Sequence, residues 1–142
     1  MFVLHPTLKR DCFVVGHFPL SVLLLMNDSS FPWFILVPAR DSVTEIYQLN
    51  REDRLQLMEE SYQLSLAMQT CFQPDKLNIA AIGNMVPQLH MHHVARYKND
   101  TCWPKPVWGN SSAKPYSDSE YEFLLARFLP KVQQLEGFNL EG

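Results

Sequence analysis

Cysteine is scarce. The chain has three in 142 residues, Cys12, Cys71 and Cys102, far apart and odd in number. No C-x-x-C pair occurs. That pattern leaves free thiols and points to a reducing compartment. Long apolar runs are missing too. Residues 22–26 (Val-Leu-Leu-Leu-Met) fall far short of the ~20 apolar residues a membrane helix needs. Residues 1–10 lack a charged segment followed by a long apolar one, so no secretory signal is expected. Basic charge is also short. The net charge is −3, which provides no overall field for a nucleic-acid polymer. Any anion site must therefore be local. There is no repeat, low-complexity tract or break in composition. A single domain over residues 1–142 is expected, with a core over about 13–110 and a C-terminal loop and helix over 111–142. The expectation is a soluble, cytoplasmic protein that engages neither membrane nor nucleic-acid polymer.

What is present is an ordinary globular mixture, 46% hydrophobic and 19% charged. Residues 6–11 predict one helical turn and 13–15 a short strand that Gly16 ends. Two apolar runs, 20–26 and 33–37, flank the polar turn Asn27-Asp28-Ser29-Ser30 and predict an antiparallel hairpin. Asn50 reads as the N-cap of a helix reaching Phe72. Leu55, Met58, Tyr62, Leu66, Gln69 and Phe72 recur at three- and four-residue steps and predict its buried face. Residues 76–82 predict a strand and 88–97 another. Residues 98–116 show no period, yet hold three of the ten prolines and two of the three tryptophans. A loop of that length is usually functional or mobile. Ser117-x-x-Glu120 is a capping box opening a last helix to about Phe128, which Pro130 ends or kinks. The tail to Gly142 is expected to be loosely held. The strands lie too close together for βαβ units, so the fold class is α+β with an antiparallel sheet.

Three of the five histidines fall within Gln88-Leu89-His90-Met91-His92-His93-Val94. On a strand, side chains alternate faces. Gln88, His90 and His92 then share one face, and His93 turns to the other, to pack under the helices. Two imidazoles roughly 7 Å apart on one strand face form a chemical site. Neutral imidazole is a competent nucleophile at neutral pH, so His90 or His92 could attack phosphorus while its neighbour donates a hydrogen bond or proton to the departing atom. Gln88 can orient a neighbour but cannot act as a base. His-x-His is also metal-ligand spacing, with His5, His17, Asp28 or Glu45 as possible third ligands. Arg40, Arg96, Lys98 and Lys105 are candidate phosphate partners, Arg96 the best placed. The segment from Trp103 to Gly109 could stack on a base, clasp a partner chain, or simply be held down by its own tryptophans.

The run from Gln88 to Val94 resembles the signature of the histidine triad (HIT) superfamily, His-φ-His-φ-His-φ-φ with φ apolar. The hairpin ending Ile-Leu-Val-Pro, the helix, the strand 76–82 and a Trp-Pro pair after the triad follow in that family's order, over roughly residues 15–110. The resemblance implies an α+β fold with a five-stranded antiparallel sheet, one long helix and a C-terminal helix. It makes His90 the nucleophile toward an α-phosphate and His92 the contact to the leaving oxygen. Gln88 stands where the first His belongs, and His93 where an apolar residue belongs. Asn27, with Asp28 as rival, lies near the ribose-holding position. Asn84 lies near the phosphate-touching segment, whose expected Asn-x-Gly reads Ala81-Ile82-Gly83 here. Arg96 and Trp103 complete the substrate-binding set. Implied substrates are nucleoside phosphoramidates, dinucleoside polyphosphates or related nucleotidyl conjugates, with no metal or other cofactor in the chemical step. A homodimer is implied, its post-triad loop reaching the partner's site. The alternative is a nucleotide-binding module of the same fold with little or no turnover.

Overall fold

The computed structural model describes residues 1–140. Its centre is an antiparallel sheet of β1 (Cys12–His17), β2 (Ser21–Met26), β3 (Trp33–Pro38), β4 (Lys76–Ala80), β5 (Met91–Arg96) and β6 (Asn139–Leu140). The order across the sheet is β4-β5-β3-β2-β1-β6. The hairpin β2–β3 forms as its apolar runs and polar turn predict, with Leu24 opposite Ile35. The expected sheet has five strands; β6 is the sixth. It pairs residues 139 and 140 with His17 and Gly16. Gly16 therefore does not end β1. It lies inside the strand, beside a bulge at Val15, and a Cβ there would overlap the Phe138 ring and the Asn139 carbonyl. The tail is held down by this strand and by Phe138, whose ring packs edge-on against Phe18. The expectation of a loose tail also covers Glu141 and Gly142, which lie outside the described residues.

One face of the sheet carries α2 (Arg51–Phe72) and α3 (Asp118–Val132), reached after the short α1 (Pro6–Asp11). Asn50 caps α2 by accepting from Asp53 N at 2.8 Å. Ser117 and Glu120 cap α3 reciprocally. Pro130 does not end α3, which continues to Val132. The buried face of α2 differs from the expected one. Leu57, Glu60, Ser61, Leu64, Ala67, Met68 and Phe72 go inward, whereas Leu55, Met58, Tyr62 and Leu66 stay 47–63% exposed. Both stripes have helical spacing. The buried one contains Glu60 and Ser61, polar groups accepted because each has a partner: Glu60 accepts from Leu20 N at 2.8 Å, and Ser61 meets His93 at 2.7 Å.

The other face of the sheet is covered by α1, the N-terminal segment, and the irregular stretches before and after β5. These pack Leu8, Val86 and Val107, together with Phe31 of the β2–β3 turn, onto Leu24, Ile35 and Val94. β5, which carries the histidines, lies between β3 and the edge strand β4. Among the described residues, no helix is long and apolar enough to cross a membrane.

Candidate active site

β5 begins at Met91, three residues later than expected, because Pro87 and the bends at Asn84, Met85 and Gln88 keep the chain off the ladder. His90 therefore sits at the mouth of the strand and His92 inside it, opposite Ile35 of β3 and Ala80 of β4. Their rings are 4.8 Å apart, nearly perpendicular, and both side chains are buried. His93 faces α2.

Each neutral ring has an assignable tautomer. His90 Nδ1 lies 2.8 Å from the Gln88 carbonyl oxygen. A carbonyl only accepts, so Nδ1 carries the proton and Nε2 carries the lone pair. His92 has the opposite tautomer. The Trp33 indole N–H donates to its Nδ1 at 3.0 Å, so the proton is on Nε2. Burial, reinforced by the positive ends of His90 and His93, pushes His92 down to about 3. His93 is held at about 4, also chiefly by burial.

The two histidines open onto a cleft of about 310 Å³ formed by Met26, Trp33, Trp108 and residues 82–86. Gly83, at φ 71°, makes the turn that brings Asn84 to its wall. Trp108 packs edge-on against both Trp33 and His92, with centroids 5.9 and 5.2 Å away, and its indole N–H is buried without a hydrogen-bond partner. The walls are largely apolar. No lysine or arginine is among the described residues that line the cleft.

The structure thus brings together His90, His92 and Asn84, and moves the other candidates elsewhere. Gln88 supplies its backbone carbonyl to His90, but its side-chain amide serves the N-terminal segment, accepting from His5 N at 2.8 Å and donating to the Val3 carbonyl at 2.9 Å. Arg96 is buried away from the cleft. It donates to Asp100 at 2.7 and 3.1 Å and to Asn78 at 3.0 Å, with its guanidinium between the Phe31 and Trp103 rings. Trp103 is thereby placed on Arg96, and Trp33 and Trp108 are the tryptophans at the cleft. Asn27 Oδ1 accepts from Tyr116 N at 2.8 Å. Asp28 Oδ1 accepts from the backbones of Ser30 and Lys114 at 3.0 and 3.3 Å. Both therefore anchor the chain that leads into α3. Arg40 pairs with Asp53. The possible third metal ligands are dispersed: His5 caps α1, and Glu45 caps the 3-10 turn Ile46–Gln48. No group of three His, Cys, Asp or Glu side chains suited to a metal ion occurs among the described residues.

The HIT domain family model matches residues 7–99. A histidine triad protein from Marinobacter aquaeolei is 45% identical, with a TM-score of 0.92, over 95% of this chain and 98% of that one. One from Bradyrhizobium japonicum is 40% identical, with a TM-score of 0.89, over 92% of this chain and 97% of that one. A hypothetical histidine triad nucleotide-binding protein from Sulfolobus tokodaii shares the fold at 16% identity, with a TM-score of 0.67, over 90% and 89% of the two chains. No curated protein matches the chain.

Proposed function

Because the chain belongs to the histidine triad family, we propose that it is a nucleotidyl hydrolase or transferase acting at an α-phosphate through a covalent intermediate on His90. The observation that carries this reading is the opposed pair of tautomers: a lone pair on His90 Nε2 beside an N–H on His92 Nε2. In the neutral tautomer His90 needs no base, because its lone pair lies on the nitrogen that would attack. Attack forms an N–P bond as the bond from phosphorus to the leaving group breaks with its electron pair, and gives a nucleotidyl-imidazolium whose Nδ1–H keeps its bond to the Gln88 carbonyl. Water then takes the nucleotidyl group and releases neutral His90. Asn84 and the backbone N–H groups of residues 82–86 would meet the phosphate oxygens as neutral donors. The aromatic and aliphatic walls suit a nucleoside. Substrates of this chemistry are phosphoramidates, dinucleoside polyphosphates and related nucleotidyl conjugates. Arg96, Asn27 and Trp103 would act indirectly, by holding the loops that frame the cleft.

The test is His90→Ala with a panel of adenylylated and guanylylated compounds, read by release of the mononucleotide. Turnover should fall by about three orders of magnitude or more, as expected for loss of a nucleophile, while AMP binding stays measurable. Wild-type turnover in the variant would remove His90 from the mechanism. A second reading, a nucleotide-binding module with little turnover, is favoured by the lack of a cationic side chain among the described lining residues. A nucleotidyl adduct on His90, trapped by denaturing quench and seen by mass spectrometry, separates the two.

The same reading includes a single working domain, a homodimer and a cytoplasmic setting. The three free thiols support the last. The uncovered apolar stripe of α2 and the free edge of β4 support the dimer.

A further inference from the structure

We propose that Trp33 is a positioning residue that locks His92 as a neutral hydrogen-bond donor, so that this site favours leaving groups able to depart as weakly basic anions. The inference rests on the hydrolase reading for its second half only; the lock itself is a statement about the folded protein.

Trp33 opens β3 and lies across from Val94, which makes it the diagonal neighbour of His92 on the same face. A diagonal position is within reach of a long aromatic side chain. The indole N–H is 3.0 Å from His92 Nδ1, and both residues are buried. Indole can donate but not accept. A second proton on His92 would have to enter at Nδ1, against an N–H already pointing there. Among the described residues, nothing nearby would repay that charge. The β3 neighbours are Trp33 and Ile35, β4 contributes Ala80, and the loop contributes Trp108. The titratable groups acting on the ring are His90 and His93, and both oppose a positive charge. His92 thus presents Nε2–H to the cleft and holds its proton through the reaction.

The bond changes follow. The His90 Nε2 lone pair forms the N–P bond. The bond from phosphorus to the leaving atom breaks, and its electron pair goes with the leaving group. That group leaves as an anion steadied by the His92 N–H, with no proton transferred. Phosphate and acidic phenols tolerate this exit. An alkylamine leaves only after solvent has protonated its nitrogen, because its anion is far too basic and His92 supplies no second proton, so phosphoramidates of alkylamines are the slow class among the proposed substrates.

Two measurements decide the matter. The first is ¹⁵N NMR of the histidine rings from pH 5 to 8. Wild-type His92 should stay in the Nε2–H tautomer throughout, and Trp33→Phe should release it into a mixture that titrates. An Nδ1–H tautomer, a wild-type titration within that range, or an unchanged spectrum in Trp33→Phe would overturn the lock. The wild-type arm decides the lock even if the variant fails to fold. The second is a series of adenosine 5′-phosphoryl compounds with graded leaving groups. Wild-type rates should fall steeply with leaving-group basicity, an alkylamine being slower than a phosphoanhydride by about a hundredfold or more. In Trp33→Phe that ratio should contract below pH 6. Equal wild-type rates would overturn the leaving-group half. A locked His92 in a protein that turns over none of the series would retire the hydrolase reading and the leaving-group half together, and leave the lock standing.

Discussion

His92 and His93 are adjacent in sequence and neutral in the fold by different means. His92 is held by a donor on Nδ1. His93 gives its Nδ1 proton to the Met91 carbonyl at 3.1 Å and leaves Nε2 to accept from the Ser61 hydroxyl at 2.7 Å. Both titrate far below an unfolded histidine, at about 3 and about 4. Between those values and about 6.5 the unfolded chain binds protons that the folded chain refuses. Their stabilisation is therefore complete above pH 6.5 and is lost as pH falls toward 4, with a limiting slope of ~1.4 kcal/mol per pH unit for each group. Urea unfolding at pH 7 and pH 5 should show a loss of about 4 kcal/mol. His93→Gln should halve the slope, since it keeps hydrogen-bonding groups without a proton to gain. A flat profile would mean that the two rings titrate normally. Strand alternation alone separates His93 from His90 and His92, because parity is a local property of the chain. The partner of His92 is not local. Trp33 lies 59 positions away in sequence, and only the β3–β5 pairing brings it there. The interleaved apolar pattern carries no trace of that register.

Parity misleads in β5 where distance along the strand matters. Arg96 has the same parity as His92, which makes it the natural phosphate partner, yet four residues of rise carry it roughly 13 Å away. There it organises the loop after the strand. The Asp100 carboxylate accepts from two Arg96 nitrogens and from the backbones of Tyr97, Cys102 and Trp103. The Arg96 guanidinium, first among these, holds Asp100 down at about 2. A sequence reading finds a long segment without period, and cannot see that one buried ion pair pins its first turn. Arg96→Met leaves Asp100 buried and unpaired, and should cost about 3 kcal/mol of stability. Because the pair lies away from the cleft, KM for nucleotide in the folded enzyme should change by less than about threefold. Denaturant titration beside steady-state kinetics separates these effects. A large rise in KM at unchanged stability would return Arg96 to the binding site. The helix is the converse case: α2 was legible in extent and cap, and illegible in orientation, because two apolar stripes compete. The stripe that won contains the side chains with specific polar partners beneath the helix.

The stripe that lost that competition is a whole-molecule feature. Leu55, Met58, Tyr62 and Leu66 form a continuous apolar row on the outside of α2. Ile79 stays 48% exposed on β4, and among the described residues no strand lies beside that strand's outer edge. A row of this size is a liability on a monomer, and so is an unpaired strand edge. Pairing two copies through both features would cover each at once, and an antiparallel match of α2 with its copy would be self-complementary, as two-fold symmetry requires. A stable dimer needs on the order of 1,000 Å² of buried surface, more than the helix stripe alone supplies, so the β4 edge should be part of it. Light scattering on the purified protein should therefore give twice the 16.5 kDa chain mass. Met58→Lys with Tyr62→Lys puts two charges into the middle of the stripe without touching the buried face. The pair should raise the dissociation constant by about two orders of magnitude or more and leave the folded monomer intact by circular dichroism. Lys76→Glu, on the free strand edge, should act more weakly and in a salt-dependent way, as expected of a rim charge. A wild-type protein that runs as a monomer at millimolar concentration would contradict the pairing, and the apolar row would then need a different partner.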